Sequence, residues 1–189
     1  ENRSDDYCLS SDCLKSVLAN FPPVTFDAMA SSTDTVCQCF FSRYESLNSC
    51  GIDLFSQSLD YGEFYFVFPP VSLAIQVLRF LESQKVKGVF IIPLWPTSVW
   101  YNSIFFDGAH CFDWVKKLLV FCPNFKFNIH SPSCFAENVT FSCAALHFDF
   151  SQSSLGERVI TNRNLCLLGG CDYCWLHSFR IKVFINLFS

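Results

Sequence analysis

Two segments of this chain are apolar or aromatic at every position: Phe64-Tyr65-Phe66-Val67-Phe68 and Val89-Phe90-Ile91-Ile92. A strand without polar alternation has no face to give to water. Both segments therefore belong in a sheet that is covered on two sides. That requirement selects architectures with helices on both faces of a mostly parallel sheet.

The flanking segments fit the same scheme. Ser10-Ser11-Asp12 is an N-cap region, and Leu14, Val17, Leu18 and Phe21 follow at helical spacing until Pro22-Pro23 stops them. Val24-Thr25-Phe26-Asp27 reads as a short buried strand ending in a carboxylate, with Ala28 to Ser32 as a turn of small residues. Phe40-Phe41 belongs to a second strand, and Gly51-Ile52-Asp53-Leu54-Phe55 is a third. Pro69-Pro70 stops the aromatic strand, and Ser72 caps a helix with the stripe Leu73, Ala74, Val77, Leu78, Leu81. Gly88 stands where a helix end wants a left-handed residue. Thr97 to Phe106 forms a short helix and Asp107-Gly108 a turn; Phe112, Val115, Leu118 and Leu119 mark another helix, and Phe141 to Phe150 a late strand. Strand and helix alternate from about residue 10 to 120, which predicts right-handed crossovers. The expected organisation is one α/β domain over residues 1–150 and a poorly defined tail over 151–189.

Composition narrows the function classes. The chain of 189 residues is 51% hydrophobic and carries a net charge of −4. It lacks the basic excess of a free-standing nucleic-acid binder, so DNA contact requires a local patch or a neighbouring domain. No apolar run approaches the ~18–20 residues of a membrane helix, and no membrane is expected as a partner. Several of the twelve cysteines, such as Cys13, Cys39 and Cys143, sit beside apolar residues in the expected elements, where free Cys packs as a small hydrophobe. The expectation is a reduced, intracellular protein of the cytoplasm or nucleus. The chain opens on polar Glu1-Asn2-Arg3-Ser4-Asp5-Asp6 and is expected to be a piece of a larger product.

Three pieces carry the chemistry: the strand ending at Asp27 with its small residues, the Gly51–Phe55 piece with Asp53, and the aromatic strand ending at Phe68-Pro69-Pro70-Val71. In doubly wound sheets ligands bind outside the carboxyl ends of the strands. In this order, from Asp6-Tyr7-Cys8-Leu9 through these pieces to Trp95-Pro96-Thr97-Ser98-Val99-Trp100, the chain resembles the Dam-like DNA adenine methyltransferases. It resembles most the copy carried in DIRS-like tyrosine-recombinase retroelements, downstream of reverse transcriptase and ribonuclease H. The resemblance covers roughly residues 5–150.

The resemblance implies a Rossmann-like, methyltransferase-type three-layer sandwich with a mostly parallel central sheet. It implies S-adenosylmethionine as cofactor, with Asp27, Ala28, Ala30 and Ser31 at its methionine part and Asp53 near its ribose or adenine. The tetrapeptide that grips a flipped adenine in the family is Asn-Pro-Pro-aromatic. Here it is Phe68, Pro69, Pro70 and Val71. Phe68 accepts no hydrogen bond and Val71 stacks poorly, although the Pro69 carbonyl still accepts. Loss of one aimed polar contact costs about a hundredfold to a thousandfold in rate, so the expectation is a weak or inactive enzyme. The implied partners are DNA and the other domains of a polyprotein.

Without the resemblance, Asp27 and Asp53 read as strand-end carboxylates that cap turns, and Pro69-Pro70 as a strand stop. Two other functions compete. Phe26-Asp27-Ala28 after a strand is similar to the first catalytic carboxylate of ribonuclease H, but two-metal hydrolysis needs about four carboxylates and no helical Glu completes the set. A non-catalytic interaction module is the other. Cys166, Cys171, Cys174 and His177 supply tetrahedral zinc donors, yet their spacing matches no zinc module, so no metal is assigned.

Overall fold

The computed structural model describes residues 8–106, 110–121, 125–126, 142–156 and 165–167. Its strands are β1 (Cys8–Leu9), β2 (Phe26–Ala30), β3 (Cys39–Ser42), β4 (Gly51–Ile52), β5 (Phe64–Val67), β6 (Lys87–Pro93), β7 (Val115–Phe121), β8 (Phe125–Lys126), β9 (Cys143–Asp149) and β10 (Leu165–Leu167). The helices are α1 (Ser11–Leu18), α2 (Ala74–Gln84) and α3 (Val99–Ile104). Eight strands form one sheet in the order β10-β7-β9-β6-β5-β2-β3-β4. Seven run the same way; β9 alone is reversed, antiparallel to both β6 and β7. β1 and β8 pair separately.

The uninterrupted apolar strands are buried on both sides. Tyr65, Val67, Phe90 and Ile92 face one core with the α2 residues Ala74, Val77, Leu78 and Leu81 and the α3 residues Tyr101 and Ile104. Phe64, Phe66, Val89 and Ile91 face the other, beneath Leu9, Val17 and Phe21. The result is a layered α/β architecture with a mostly parallel sheet, as the strand pattern requires. Ser10 caps α1 by accepting from the Cys13 amide at 3.3 Å. Ser98 likewise caps α3, through Tyr101.

Several local expectations are corrected. Val115 to Phe121 is a strand, not a helix. The 3–4 spacing of Phe112, Val115, Leu118 and Leu119 also suits a two-sided buried strand, and pairing with β9 decides between the two. Ala28 to Ala30 continue β2 instead of turning, held between β3 and β5. Gly51–Phe55 is only briefly a strand, because Asp53 adopts φ 56° and starts a 3-10 turn over Leu54–Ser56. Ser72 is not the N-cap residue of α2. A 3-10 turn over Val71–Leu73 precedes the helix, whose N-cap residue is Leu73.

Gly88 does not end α2 either. The left-handed residue is Lys85, at φ 57°, while Gly88 lies inside β6 opposite Tyr65. A Cβ at Gly88 would collide with the Tyr65 carbonyl oxygen. Beyond residue 150, β10 joins the sheet parallel to β7. Of the four zinc candidates, Cys166 lies in β10, and Cys171, Cys174 and His177 lie outside the described residues. Among the described residues no helix is long and apolar enough to cross a membrane.

The collision at Gly88 is with backbone, which cannot step aside as a side chain can. Gly88→Ala is expected to lower the free energy of unfolding by about 3 kcal/mol, the upper end for overpacking, measured by urea titration. A loss below about 1 kcal/mol would show that β5 and β6 separate easily.

Candidate functional site

The chain runs β2, β3, β4 toward one edge of the sheet and resumes on the other side of β2 with β5. Strand order therefore reverses between β2 and β5. In open α/β sheets this reversal leaves a crevice outside the carboxyl ends of the strands, where ligands bind. Ala30 ends β2 there with Ser31 just beyond it, and Phe68 to Val71 follow β5 beside them. Ser42 ends β3 and Asp53 follows β4 on the same edge, two strands further out.

The Ser31 end is closed on itself. The Ser31 amide donates to Asp34 Oδ1 at 2.6 Å, and its hydroxyl donates to the same oxygen at 2.7 Å. The amides of Asp34 and Thr35 donate back to the Ser31 carbonyl at 3.3 and 3.2 Å. A doubly wound sheet usually offers a ligand the exposed amides of a helix N-terminus here. In this chain residues 31–38 connect β2 to β3 without a helix, and residues 43–50 connect β3 to β4 likewise.

Asp27 sits inside β2, not at its end, and is 2% exposed. Its carboxylate accepts from the Met29 amide at 3.3 Å and the Val36 amide at 3.1 Å. It thus ties the returning loop to the face of the sheet. Burial raises its pKa from the ordinary 3.8 to about 6, and the two amides oppose that rise only in part. Asp53 is exposed; its carboxylate accepts from the Phe55 amide at 3.2 Å, and its own amide donates to the Ser42 carbonyl at 2.8 Å. Both carboxylates cap local turns, as their residue type alone suggests.

Within the tetrapeptide, Phe68 is half-buried and packs against the core on the α1 side, Pro69 is buried, and Val71 opens the 3-10 turn. The Pro70 carbonyl accepts from the Leu73 amide at 2.9 Å. Ala28, at 1% exposure, faces the core, leaving Ala30 as the small residue nearest the edge.

An open depression of about 350 Å³ lies between the loops on either side of β3. Ser32, Thr35, Gln38, Leu47 and Asn48 line it; Asp27, Asp53 and Pro69 do not. The sequence reading passed over Asp34, whose capture of Ser31 closes the edge. Its signal was the run Ser31-Ser32-Thr33-Asp34, a turn-forming pattern in which a short acceptor bonds the backbone close by. Comparison of the chain with protein-family models and with curated proteins gives no match in either set.

The raised Asp27 pKa has a definite sign. The folded state holds this proton more tightly than the unfolded chain does. Its stabilisation is fully present below about pH 3.8 and is lost as pH rises through about 6. The gap corresponds to about 3 kcal/mol. Urea titrations from pH 4 to 7.5 should show wild type losing roughly that much relative to Asp27→Asn. Parallel curves would mean that Asp27 titrates as an ordinary carboxylate.

Proposed function

We propose that this chain is a methyltransferase-type domain derived from an S-adenosylmethionine-dependent DNA adenine methyltransferase, with the fold kept and turnover largely lost. One observation carries it: the run β4-β3-β2-β5-β6-β9-β7 within the eight-stranded sheet, with β9 alone reversed and β10 added outside β7. Its five parallel strands follow the doubly wound order 3-2-1-4-5. A reversed strand inserted between the fifth and sixth of that series, here β9 between β6 and β7, is the methyltransferase-type variant of that Rossmann-like sheet. The diproline after the fourth strand of this series, at the strand-order reversal, stands where the family's base-gripping tetrapeptide belongs.

Ala30 and Ser31 would meet the methionine part of the cofactor, and Asp53 its ribose or adenine. Asp27 would act on that subsite from below, by fixing the loop that follows Ser31. When bound, S-adenosylmethionine supplies an electrophilic methyl group. This chain would have to position an adenine amine and accept its hydrogens. The Pro69 carbonyl is the acceptor left in the tetrapeptide, since Phe68 has none and Val71 offers no ring to stack on. Asp34 must also release Ser31 before the edge can donate to a ligand, which weakens binding. DNA and neighbouring polyprotein domains are the partners this reading implies.

The ribonuclease H alternative is less well supported. It needs clustered carboxylates for two metal ions. Among the described residues no three His, Cys, Asp or Glu side chains are grouped to hold a metal.

Calorimetry with S-adenosylmethionine is expected to give weak binding, with Kd of about a millimolar, abolished in Asp53→Ala. A labelled-methyl assay on adenine-containing DNA is expected to show no turnover by the native chain. The double variant Phe68→Asn, Val71→Tyr should recover at least about tenfold over background, a small part of what an aimed polar contact contributes. Absence of cofactor heat would overturn the cofactor edge, and robust native turnover would overturn the loss of activity.

A further inference from the structure

On the α1 side of the sheet, helical cover runs out at β3. Phe40 is in register with Asp27, and Asp27 with Phe66, which faces the core beneath α1. Phe40 therefore points to that side. No helix lies between β2 and β3 or between β3 and β4, so the loops 31–38 and 43–50 must cover it. They leave the depression of about 350 Å³ between them, with Phe40 at its floor. That volume stands at the lower end of the range for small-molecule sites, about 300–1,000 Å³.

Hydrogen bonds set both walls. In one loop the Val36 amide donates to Asp27 at 3.1 Å. The Thr35 hydroxyl donates to the Cys37 carbonyl at 2.7 Å and accepts from the Cys37 amide at 3.2 Å. In the other loop the Ser49 amide donates to the Ser46 carbonyl at 3.2 Å, which makes Leu47 and Asn48 the central pair of a turn. Asn48 takes φ 65°, a conformation that asparagine tolerates. Walls already folded spare a ligand the cost of ordering them. Three polar groups on these walls are left over. Among the described residues nothing engages the Ser32 hydroxyl or the Gln38 and Asn48 carboxamides.

The lining also selects the ligand. None of the described side chains that line the depression carries a charge, which disfavours a phosphate or a carboxylate. Phe40 is only 2% exposed, so its ring is closed to a stacking base. Leu47, 80% exposed, offers an aliphatic contact instead. Hydroxyls and carboxamides each donate and accept. Their complement is a small, uncharged, non-aromatic ring with hydroxyls at its edge and C–H groups on its face.

We infer that the depression over Phe40 is a binding site for a neutral hexopyranose, with sugar hydroxyls on Ser32, Gln38 and Asn48 and a C–H face on Leu47. None of Asp27, Asp53 and Pro69 lines it, so the inference stands apart from the methyltransferase reading.

The test is an NMR titration of the full chain, labelled with nitrogen-15, against D-glucose, D-galactose and D-mannose, with adenosine as the aromatic control. At least one hexose is expected to bind with Kd of about a millimolar and to shift the side-chain amide signals of Gln38 and Asn48. Adenosine should bind at least about tenfold more weakly. Gln38→Leu and Asn48→Gly, the second chosen to keep the φ of the turn, should each weaken the hexose about fivefold, the share of one hydrogen bond. Asp53→Ala should bind it as wild type does, which separates this site from the cofactor edge. Three outcomes would each overturn the inference: no hexose saturating by about 50 mM, adenosine binding more tightly than every hexose, or a hexose that binds without moving the Gln38 and Asn48 amide signals.

Discussion

The two-sided burial of β5 and β6 is the constraint on which the rest of the structure depends. Phe64, Phe66, Val89 and Ile91 go to one core, and Tyr65, Val67, Phe90 and Ile92 to the other. Both faces need cover, which α2 and α3 supply on one side and α1 with β1 on the other. The two strands also pack backbone against backbone at Gly88 and Tyr65. Around this pair, β2 joins beside β5 and β9 beside β6, and the carboxyl ends of the parallel strands share one edge.

That edge brings Ala30 and Ser31 beside Pro69 to Val71 and leaves Asp27 inside its strand and Asp53 two strands away, and the hydrogen bonds around it show why these groups are not free for a ligand. Polar groups near a buried sheet must be satisfied. With no crossover helices after β2 and β3, the loops supply the partners themselves. Asp34 takes the Ser31 amide and hydroxyl, Asp27 takes the Val36 and Met29 amides, and Asp53 takes the Phe55 amide. Turn closure and ligand binding compete for the same donors.

Much of this was legible in residue pattern. The cap at Ser10, the aromatic strand before Pro69-Pro70 and the stripe of α2 follow from periods and stop signals that act locally. The misread segments share a cause, since each is locally ambiguous and settled by a distant partner. Val115 to Phe121 became a strand because β9 reaches it from almost thirty residues away. Ala28 to Ala30 stayed extended because β3 and β5 grip them, and Gly88 was needed for close approach rather than for φ.

By itself the sequence determined the class of architecture, because uninterrupted apolar strands cannot face water. It also determined which residue types were present at the carboxyl edge, including Phe68 and Val71 on either side of the diproline. The tertiary structure alone decided the strand order, the reversal of β9, the burial of Asp27 within its strand and the close approach of Gly88 to Tyr65. These depend on which strands lie side by side. That choice is made by packing between residues far apart in the chain, and no local pattern encodes it.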